Sequence, residues 1–424
     1  MANRLIMPVL VATALAAVSA EAAETVVSPA PGALQAAIDA AQPGEILRLR
    51  PGTHEGDVVI DKTITVTGEP GAVVAGSGSG TVITVTAPDA VVRGLHVSGS
   101  GSSHEDIDSG IKLTKTATRA RAIGNELIGN LVGIDIHGAR DSHVADNVIV
   151  GRTDFRMNDR GNGVYVWNAP GAVVEGNTIR QGRDGIFVNT SAGNTFRDNR
   201  FEDLRFAVHY MYGNDGKIIG NLSVGNEIGY ALMFSSRLEV RDNISVSDRD
   251  YGIMLNYAND AEITGNFVRD AAEKCLFMYN ANKNRLVDNR FEGCEIGIHF
   301  TAGSERNAIS GNAFIGNQTQ VKYVGSRYHE WSAEGRGNYW SDHAAFDVNG
   351  DGVADSAYRP NDIIDQVLWT QPAAKLLLGS PAVQLVRWSQ SQFPALLPGG
   401  VVDSAPMMVP VEISLPIIEM GEGT

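Results

Sequence analysis

The sequence predicts an all-β fold, a right-handed parallel β-helix of ~22–23 residues per rung, with an N-terminal cap and an irregular, partly helical C-terminal cap. Asparagines preceded by Gly or Asp recur at a fixed interval, and most are followed eight or nine residues later by a second column, mostly glycine, that opens a short hydrophobic run. This interval leaves no room for a helix in each repeat. The asparagines are Asn125, Asn147, Asn177, Asn199, Asn221, Asn243, Asn266, Asn289 and Asn312. We expect them to occupy a left-handed turn and to hydrogen-bond from rung to rung.

The start of the chain has the features of a secretory signal peptide, which we assign to residues 1–22. Arg4 precedes an apolar stretch, and Ala20, Glu21 and Ala22 form a small-residue cleavage site. No later apolar stretch is long enough to span a bilayer. We therefore expect an exported periplasmic protein that does not span the membrane.

Residues 23–324 form the predicted β-helix. An amphipathic stretch over 34–38, stopped by Pro43 and Gly44, predicts a cap over the open end of the first rung. Short strands between Gly-rich turns follow, and the one 30-residue interval carries an insertion within 151–163 that predicts a surface loop. The repeat ends after Val324. Residues 325–424 hold four of the five tryptophans and are predicted to form a cap and partner-docking segment.

Alternation along each strand separates a buried face from an exposed one. The residues one and three after the second column are apolar and should point into the core, as Ile186 and Val188 do after Gly185. The residues two and four after it should point outward. That outward set is rich in histidine, methionine and aromatic residues, which is unusual for a solvated sheet.

The outward set permits three interpretations. Thioether and imidazole ligands favour Cu(I), which makes His209, Met211, Met233 and Met254 a candidate site for transiently bound copper. The same face could be a partner-docking patch, and a one-residue register slip would instead bury the methionines. The candidate docking residues are Tyr165, Trp167, Phe187, Phe277 and Tyr279.

A rival interpretation is a secreted polysaccharide lyase or epimerase that uses Asp135 and His137. Such enzymes need a base, a neutralising cation and a proton donor. The pair lies on an otherwise apolar face, and ordinary polar residues at its edge are the simpler explanation.

The segment 347–355 matches the first part of a calcium-binding loop. Asp347, Asn349 and Asp351, with Asp355 following, have the spacing of oxygen ligands around a compact turn, but Tyr358 replaces the bidentate glutamate. Structural calcium and a plain Asx-rich turn both remain open.

The cysteines and the net charge complete the prediction from composition. Cys275 and Cys294 are the only two cysteines, and an exported protein permits a disulfide, although the repeat register leaves their pairing open. The formal net charge of −15 argues against nucleic-acid binding.

Several motifs resemble those of the NosD family, periplasmic β-helix proteins required for maturation of nitrous oxide reductase, an enzyme of denitrification. The motifs are His209-Tyr210-Met211-Tyr212, Asn338-Tyr339-Trp340-Ser341-Asp342, the segment 347–355, Tyr358-Arg359-Pro360-Asn361-Asp362 and parts of 393–404. The resemblance implies an accessory protein rather than an enzyme. It also implies as partners the membrane and ATPase subunits of an ABC transporter, a lipoprotein copper chaperone and the reductase itself. The implied task is assembly of the reductase's copper centre, through copper handover, sulfur supply or both. Only His209 and Met211 carry over as copper ligands.

Overall fold

The chain winds into three long parallel sheets, each of which gains one strand per rung. The computed structural model describes residues 23–325, 327–377, 380–392 and 400–415. The predicted signal peptide, residues 393–399 of the last family motif and the end of the tail from 416 lie outside the described residues.

We number the sheets in the order in which the chain enters them. Sheet 1 has 13 strands: Glu24–Val27, Ile46–Leu49, Thr65–Gly68, Val91–Arg93, Arg121–Ile123, His143–Ala145, Val173–Glu175, Thr195–Arg197, Lys217–Ile219, Glu239–Arg241, Glu262–Thr264, Arg285–Val287 and Ala308–Ser310. Sheet 2 has 13 strands: Gly52–Glu55, Ala72–Ala75, His96–Ser98, Glu126–Ile128, Val148–Val150, Thr178–Arg180, Arg200–Glu202, Leu222–Val224, Ile244–Val246, Phe267–Arg269, Arg290–Glu292, Ala313–Ile315 and Tyr339–Trp340. Sheet 3 has 12 strands: Val58–Ile60, Ile83–Val85, Ser109–Leu113, Val132–His137, Val164–Trp167, Asp184–Asn189, Phe206–Met211, Ile228–Met233, Tyr251–Asn256, Lys274–Tyr279, Ile296–Thr301 and Thr319–Val324.

Strands of successive rungs pair in parallel and in register. In sheet 3, for example, Phe187 pairs with His209, which pairs with Ala231 in the next rung. The predicted parallel β-helix is therefore confirmed. Sheet 3 ends at Val324, whereas sheet 2 gains one further strand when Tyr339 and Trp340 pair with Ala313 and Phe314.

The helices lie at the two ends of the β-helix and in the insertion. Helix α1 (Ala33–Ala40) buries Leu34 and Ile38 at the N-terminal end. The insertion holds a 3-10 turn, Met157–Asp159. The C-terminal region holds α2 (Ile363–Thr370), a 3-10 helix (Pro372–Leu377) and α3 (Pro381–Gln392), and Tyr328–Glu330 pairs with Gly400–Val402 in a small separate sheet. No helix in the described ranges is both long and apolar enough to cross a membrane.

The predicted alternation of inward and outward side chains is confirmed, although Asp135, Ala231, His209 and Met254 of the outward set are buried by neighbouring side chains. The inward pairs of all nine regular rungs belong to one continuous core. Met211, Met233 and Met254 do not belong to this core, and Met254 and Met233 instead pack in a separate apolar cluster on the outside of sheet 3. The register-slip interpretation is therefore wrong. The inward pairs are Ile134/Ile136, Val164/Val166, Ile186/Val188, Val208/Tyr210, Tyr230/Leu232, Ile253/Leu255, Leu276/Met278, Ile298/Phe300 and Val321/Tyr323.

The asparagine column forms a buried hydrogen-bonded ladder, as predicted. Each side-chain amide donates to the side-chain oxygen of the next rung, for example Asn177 Nδ2 to Asn199 Oδ1 at 2.9 Å, and the ladder continues from Asn312 to Asn338. The expected left-handed conformation was assigned to the wrong residue, because it falls on the preceding residue, as in Gly176 with φ 64°. Gly and Asp tolerate that conformation, and this leaves the asparagine free to extend its amide along the stack.

The C-terminal region is fastened to the last rung by the residues of a family motif. The buried carboxylate of Asp403 accepts hydrogen bonds from the backbone N–H of Asn338 at 2.6 Å and from Trp340 Nε1 at 2.8 Å. The Trp340 ring stacks on Phe314 at 4.5 Å and on Tyr358 at 4.6 Å. These residues close the core at its C-terminal end.

Cys275 and Cys294 form a buried disulfide two rungs earlier.

Candidate functional site

The outer surface of sheet 3 carries an apolar cluster that is separate from the core. Ala231, Ile228 and Met254 are buried in it, and partly exposed side chains pack around them. We call this surface the apolar face and define it by Phe206, Ile228, Ala231, Met233, Tyr251, Met254 and Phe277. His209 and Met211 border it, because they pair with Ala231 and Met233.

The four predicted copper ligands surround one small residue on the apolar face. Met211 pairs directly with Met233 on the next strand, while His209 and Met254 pair with Ala231 from opposite sides. Since parallel strands lie about 4.8 Å apart, His209 and Met254 are roughly 10 Å apart along this column. Ala231, the smallest side chain in that column, separates His209 from Met254.

His209 is held by a fully buried carboxylate. Its Nδ1 lies 3.1 Å from Oδ2 of Asp184, one rung earlier. Both oxygens of that carboxylate also accept hydrogen bonds from Arg205, at 2.8 and 2.7 Å. Burial works to raise the pKa of Asp184, but the hydrogen bonds from His209 and Arg205 outweigh it and leave that pKa lowered. The ionised carboxylate is an acceptor, so Nδ1 of His209 carries the proton.

The second ring nitrogen of His209 is therefore available as a ligand. Its Nε2 is buried and has no hydrogen-bond partner among the residues that the structure describes, and in the neutral imidazole the Asp184 contact leaves the lone pair on this atom. The ring is fixed between Phe187, stacked at 4.7 Å, and the edge contact of Phe206 at 4.8 Å. A carboxylate-oriented imidazole with a free Nε2 is the arrangement that metal-binding histidines adopt.

The five predicted docking aromatics all lie on the outside of sheet 3 but differ in exposure. Trp167 is 36% exposed and Tyr279 is 42% exposed, whereas Tyr165, Phe187 and Phe277 are only partly exposed. Phe187 stacks on Tyr165 at 5.4 Å and continues the column to His209. No single flat patch unites all five.

A second row of aromatic residues lies at the strand ends, and of these only Tyr212 stands in one of the motifs given above. Tyr212, Phe234 and Tyr257 directly follow Met211, Met233 and Asn256 at the end of their strands, and their rings stack at 5.2 and 5.1 Å. We call these three residues the aromatic row. Each has a positive φ of 49–52°, an unfavourable conformation for a bulky side chain. Their exposed fractions are 53, 40 and 43%. The repeat pattern offers one signal for these three residues, which is that each directly follows the outward-facing residue at the end of its strand.

Asp135 and His137 do not form an accessible catalytic pair. Asp135 is fully buried, and its carboxylate lies 3.3 Å from Lys112 Nζ and 3.6 Å from His137 Nδ1. The His137 ring stacks on Trp167 at 4.4 Å. Lys112, on the preceding rung, neutralises the Asp135 carboxylate. Neighbouring side chains cover Asp135, so a polysaccharide could not reach it. Asp135 therefore cannot serve as the base that the lyase or epimerase interpretation assigns to it.

The predicted calcium loop forms a compact turn in which its own backbone satisfies the carboxylates. Asp347 accepts from the amide N–H groups of Gly350, at 2.6 Å, and of Gly352, at 2.8 Å, and these bonds lower its pKa. Asp355 accepts from the backbone of Val348, and Asn349 bonds to Asp351. Among the described residues, no three His, Cys, Asp or Glu side chains are grouped as they would be around a metal ion.

Fold and site together define a parallel β-helix protein with an apolar, aromatic surface on the outside of one sheet, bordered by His209 and Met211. Comparison with known proteins is more specific. Residues 145–345 match the family model described as "Periplasmic copper-binding protein (NosD)". The chain is 43% identical over 375 residues to the probable ABC transporter binding protein NosD of Stutzerimonas stutzeri, which covers 85% of this chain and 86% of that protein. It is 41% identical over 373 residues to the protein of the same name from Pseudomonas aeruginosa, covering 85% and 87%. The chain belongs to the NosD family.

Similar solved structures confirm the fold alone. The A-module of the Azotobacter vinelandii mannuronan C-5 epimerase AlgE6 superimposes with a TM-score of 0.56 at 14% identity, over 70% of this chain and 93% of that one. The Streptococcus pneumoniae surface protein and adhesin PfbA gives a TM-score of 0.56 at 10% identity, over 69% and 94%. An enzyme and an adhesin share this architecture, so function must be argued from the site.

Proposed function

We propose that this chain is a periplasmic accessory protein that binds Cu(I) transiently at His209, Met211, Met233 and Met254 and hands it on during assembly of the copper centre of nitrous oxide reductase. The observation that carries the proposal is the buried Nε2 of His209, which is oriented by Asp184 and has no hydrogen-bond partner among the described residues. Met211 lies on the same strand, and Met233 and Met254 lie on the next two strands of sheet 3. One imidazole and several thioethers form a soft ligand set that suits Cu(I) better than Zn²⁺, Ca²⁺ or Mg²⁺.

The surroundings of the four ligands suit transfer of a metal rather than permanent storage. Met211 and Met233 are partly exposed, while His209 and Met254 are nearly buried. An incoming copper ion would therefore meet the exposed sulfurs first and the imidazole last. Thioether side chains are flexible and neutral, so they bind Cu(I) without a large change in charge. This permits rapid release to a partner.

The exposed aromatic residues supply the surface on which a partner would dock. The aromatic row runs beside Met211 and Met233, and Trp167 and Tyr279 extend the exposed aromatic surface along sheet 3. Aromatic and methionine side chains are enriched where proteins associate. We propose a lipoprotein copper chaperone as the donor at this surface, the reductase as the acceptor, and the C-terminal helices as the contact with the membrane and ATPase subunits of an ABC transporter. The names of the two bacterial relatives support the transporter part.

Anaerobic titration of the purified mature protein against a chromophoric Cu(I) chelator tests the site. The triple variant His209→Ala/Met211→Ala/Met233→Ala should lose at least about tenfold in Cu(I) affinity. Met157→Ala removes a methionine from the insertion, away from the site, and should bind like the wild type. A triple variant with unchanged affinity would remove the proposed ligands.

A second variant tests whether the space between the ligands matters, without altering any of them. Ala231→Leu places a larger side chain between His209 and Met254, and we expect it to weaken Cu(I) binding while the inward core stays intact. Thr301→Leu adds a similar side chain further along sheet 3 and should have no effect. In a strain lacking the wild-type gene, the triple variant should also yield reductase deficient in copper. Reductase with its full copper content would refute the assembly role even if the purified protein binds copper.

A further inference from the structure

A small cavity lies on the outside of sheet 3, two rungs before the methionines. Its volume is about 200 Å³. Tyr165 and Phe187 line it from the sheet, and Asn162 and Arg183 line it from the segments that lead into two adjacent strands. His104 closes one side, because its Nε2 lies 3.0 Å from the backbone oxygen of Asp159 and so joins two surface loops. A water molecule takes about 30 Å³, so this space suits a compact ion of a few atoms.

The charged groups around the cavity leave one cation without a full partner. The Asp184 carboxylate is already occupied by Arg205 and His209, and Asp135 is paired with Lys112. Arg183 is left. Its Nε is buried and has no hydrogen-bond partner in the described part of the chain, and it lies 3.8 Å from Asp184 Oδ2, too far for a hydrogen bond.

The guanidinium of Arg183 has far more hydrogen-bonding capacity than the protein uses. It can donate five hydrogen bonds, and the one side-chain bond formed runs from Nη2 to Asn162 Oδ1 at 3.2 Å. Burial lowers the pKa of this arginine, which marks the cost of keeping its charge away from water. A half-buried cation that faces a cavity with unused donors is matched by an anion that accepts from them.

We propose that this cavity binds a small anion, a carboxylate or a tetrahedral oxyanion, with Arg183 as its counter-charge and the Tyr165 hydroxyl and Asn162 amide as further donors. The apolar side chains of Ile107, Leu131 and Phe187 limit the ligand to a compact one. The inference goes beyond the proposed function and does not depend on copper binding. The two sites nevertheless share Phe187, which lines the cavity and stacks on His209.

Calorimetric titration of the mature protein with sodium sulfate and with sodium acetate, at constant ionic strength set by sodium chloride, tests the proposal. We expect saturable binding at one site. Sulfate as the tighter ligand would identify tetrahedral oxyanions, and acetate as the tighter ligand would identify carboxylates. Arg183→Gln should weaken that binding at least tenfold, whereas Arg180→Gln, an exposed arginine on sheet 2, should leave it unchanged. Tyr165→Phe should weaken it by a smaller factor.

Two outcomes would overturn the proposal: neither anion binds saturably to the wild type, or Arg183→Gln binds as tightly as the wild type. If Arg183→Gln fails to fold, Arg183→Lys retains the charge and removes the planar set of donors. That variant should then bind more weakly than the wild type, and equal affinity would count against the proposal in the same way. Copper affinity of the same variants, measured separately, distinguishes failure of this site from failure of the copper site.

Discussion

Asp184 and His209 are 25 residues apart in sequence, yet the carboxylate of one lies 3.1 Å from the imidazole Nδ1 of the other across adjacent rungs. This contact places a proton on Nδ1, so in the neutral imidazole the lone pair lies on Nε2. Arg205 holds the other side of the carboxylate with two hydrogen bonds. Asp184 is therefore a positioning residue for the proposed copper site, and its effect should pass entirely through His209.

The first prediction concerns the substitution Asp184→Asn. The amide retains an oxygen that can accept from His209 but loses the negative charge that makes the imidazole a stronger ligand. We expect Cu(I) affinity to fall by about tenfold, the lower end of the range for such supporting residues. The measurement is the same chelator competition as for the ligand variants, with thermal unfolding recorded in parallel.

The control for this prediction removes His209 itself. In a His209→Ala background, Asp184→Asn should cause no further loss of affinity, because its effect depends on the imidazole. An equal loss in both backgrounds would show that Asp184 acts through general stability rather than through His209.

The repeat pattern was sufficient to predict which residues are buried and which face out. The period assigned Ile186 and Val188 to the core and His209 and Met211 to the surface, because side-chain direction alternates along a strand wherever the strand is regular. The asparagine ladder follows from the same period. These features depend on rung spacing alone, and a sequence displays that spacing directly.

The alternation of side-chain direction fails at the mostly glycine column that opens each hydrophobic run. For this reason the sequence did not reveal that Asp184, the residue before Gly185, lies beside His209. At Gly185 an added Cβ would lie 2.4 Å from the Ala207 carbonyl oxygen and 2.4 Å from the Phe201 ring, so this position points into the core. The residue before it consequently faces outward, and Phe206 and Ile228 occupy the same outward position in the next two rungs. A bend of this kind depends on close packing between rungs, which spacing does not reveal. The positive φ of Phe234 was missed for a similar reason, since aromatic residues rarely adopt it.

The second prediction concerns the strained backbone of the aromatic row. Phe234 has a φ of 49°, and asparagine tolerates that conformation far better. The substitution Phe234→Asn loses two ring contacts, which contribute about 0.5–1.5 kcal/mol each beyond area burial, but relieves roughly 1–2 kcal/mol of backbone strain. We therefore expect the free energy of unfolding to fall by no more than about 2 kcal/mol, measured by urea denaturation.

The same variant should bind its partner more weakly if the aromatic row is a docking surface. The assay is binding of the purified copper chaperone lipoprotein to wild type and variant. Val59→Asn removes an exposed apolar side chain near the N-terminal end of sheet 3 and is the matched control, expected to leave binding unchanged. A Phe234→Asn protein that binds the chaperone like the wild type would contradict the docking role, and one destabilised by several kcal/mol would contradict the strain argument.

The third prediction concerns the pH dependence of stability, which Asp248 should influence strongly. Its carboxyl is fully buried and accepts hydrogen bonds from Ser245 Oγ at 2.6 Å, Ser223 Oγ at 2.8 Å and the Asn226 N–H at 2.8 Å. Burial raises its pKa from the ordinary 3.8 to about 7, and the hydrogen bonds offset that effect only in part. Below pH 3.8 the group is neutral in both folded and unfolded chains. Between that value and about 7 the unfolded chain loses the proton while the folded chain retains it, so rising pH lowers the stability by roughly 1.4 kcal/mol per unit.

The substitution Asp248→Asn removes this titration, and the comparison isolates it from every other group. Between pH 4.5 and 7.5 the free energy of unfolding of the wild type should fall relative to Asp248→Asn by on the order of 3 kcal/mol, and the difference should level off above pH 7. Urea denaturation at a series of pH values measures it. Asp203→Asn, at an exposed turn position, should track the wild type across the whole range. Parallel curves for the wild type and Asp248→Asn would mean that Asp248 has the same proton affinity in the folded and unfolded chains, and that burial in this rung does not perturb it.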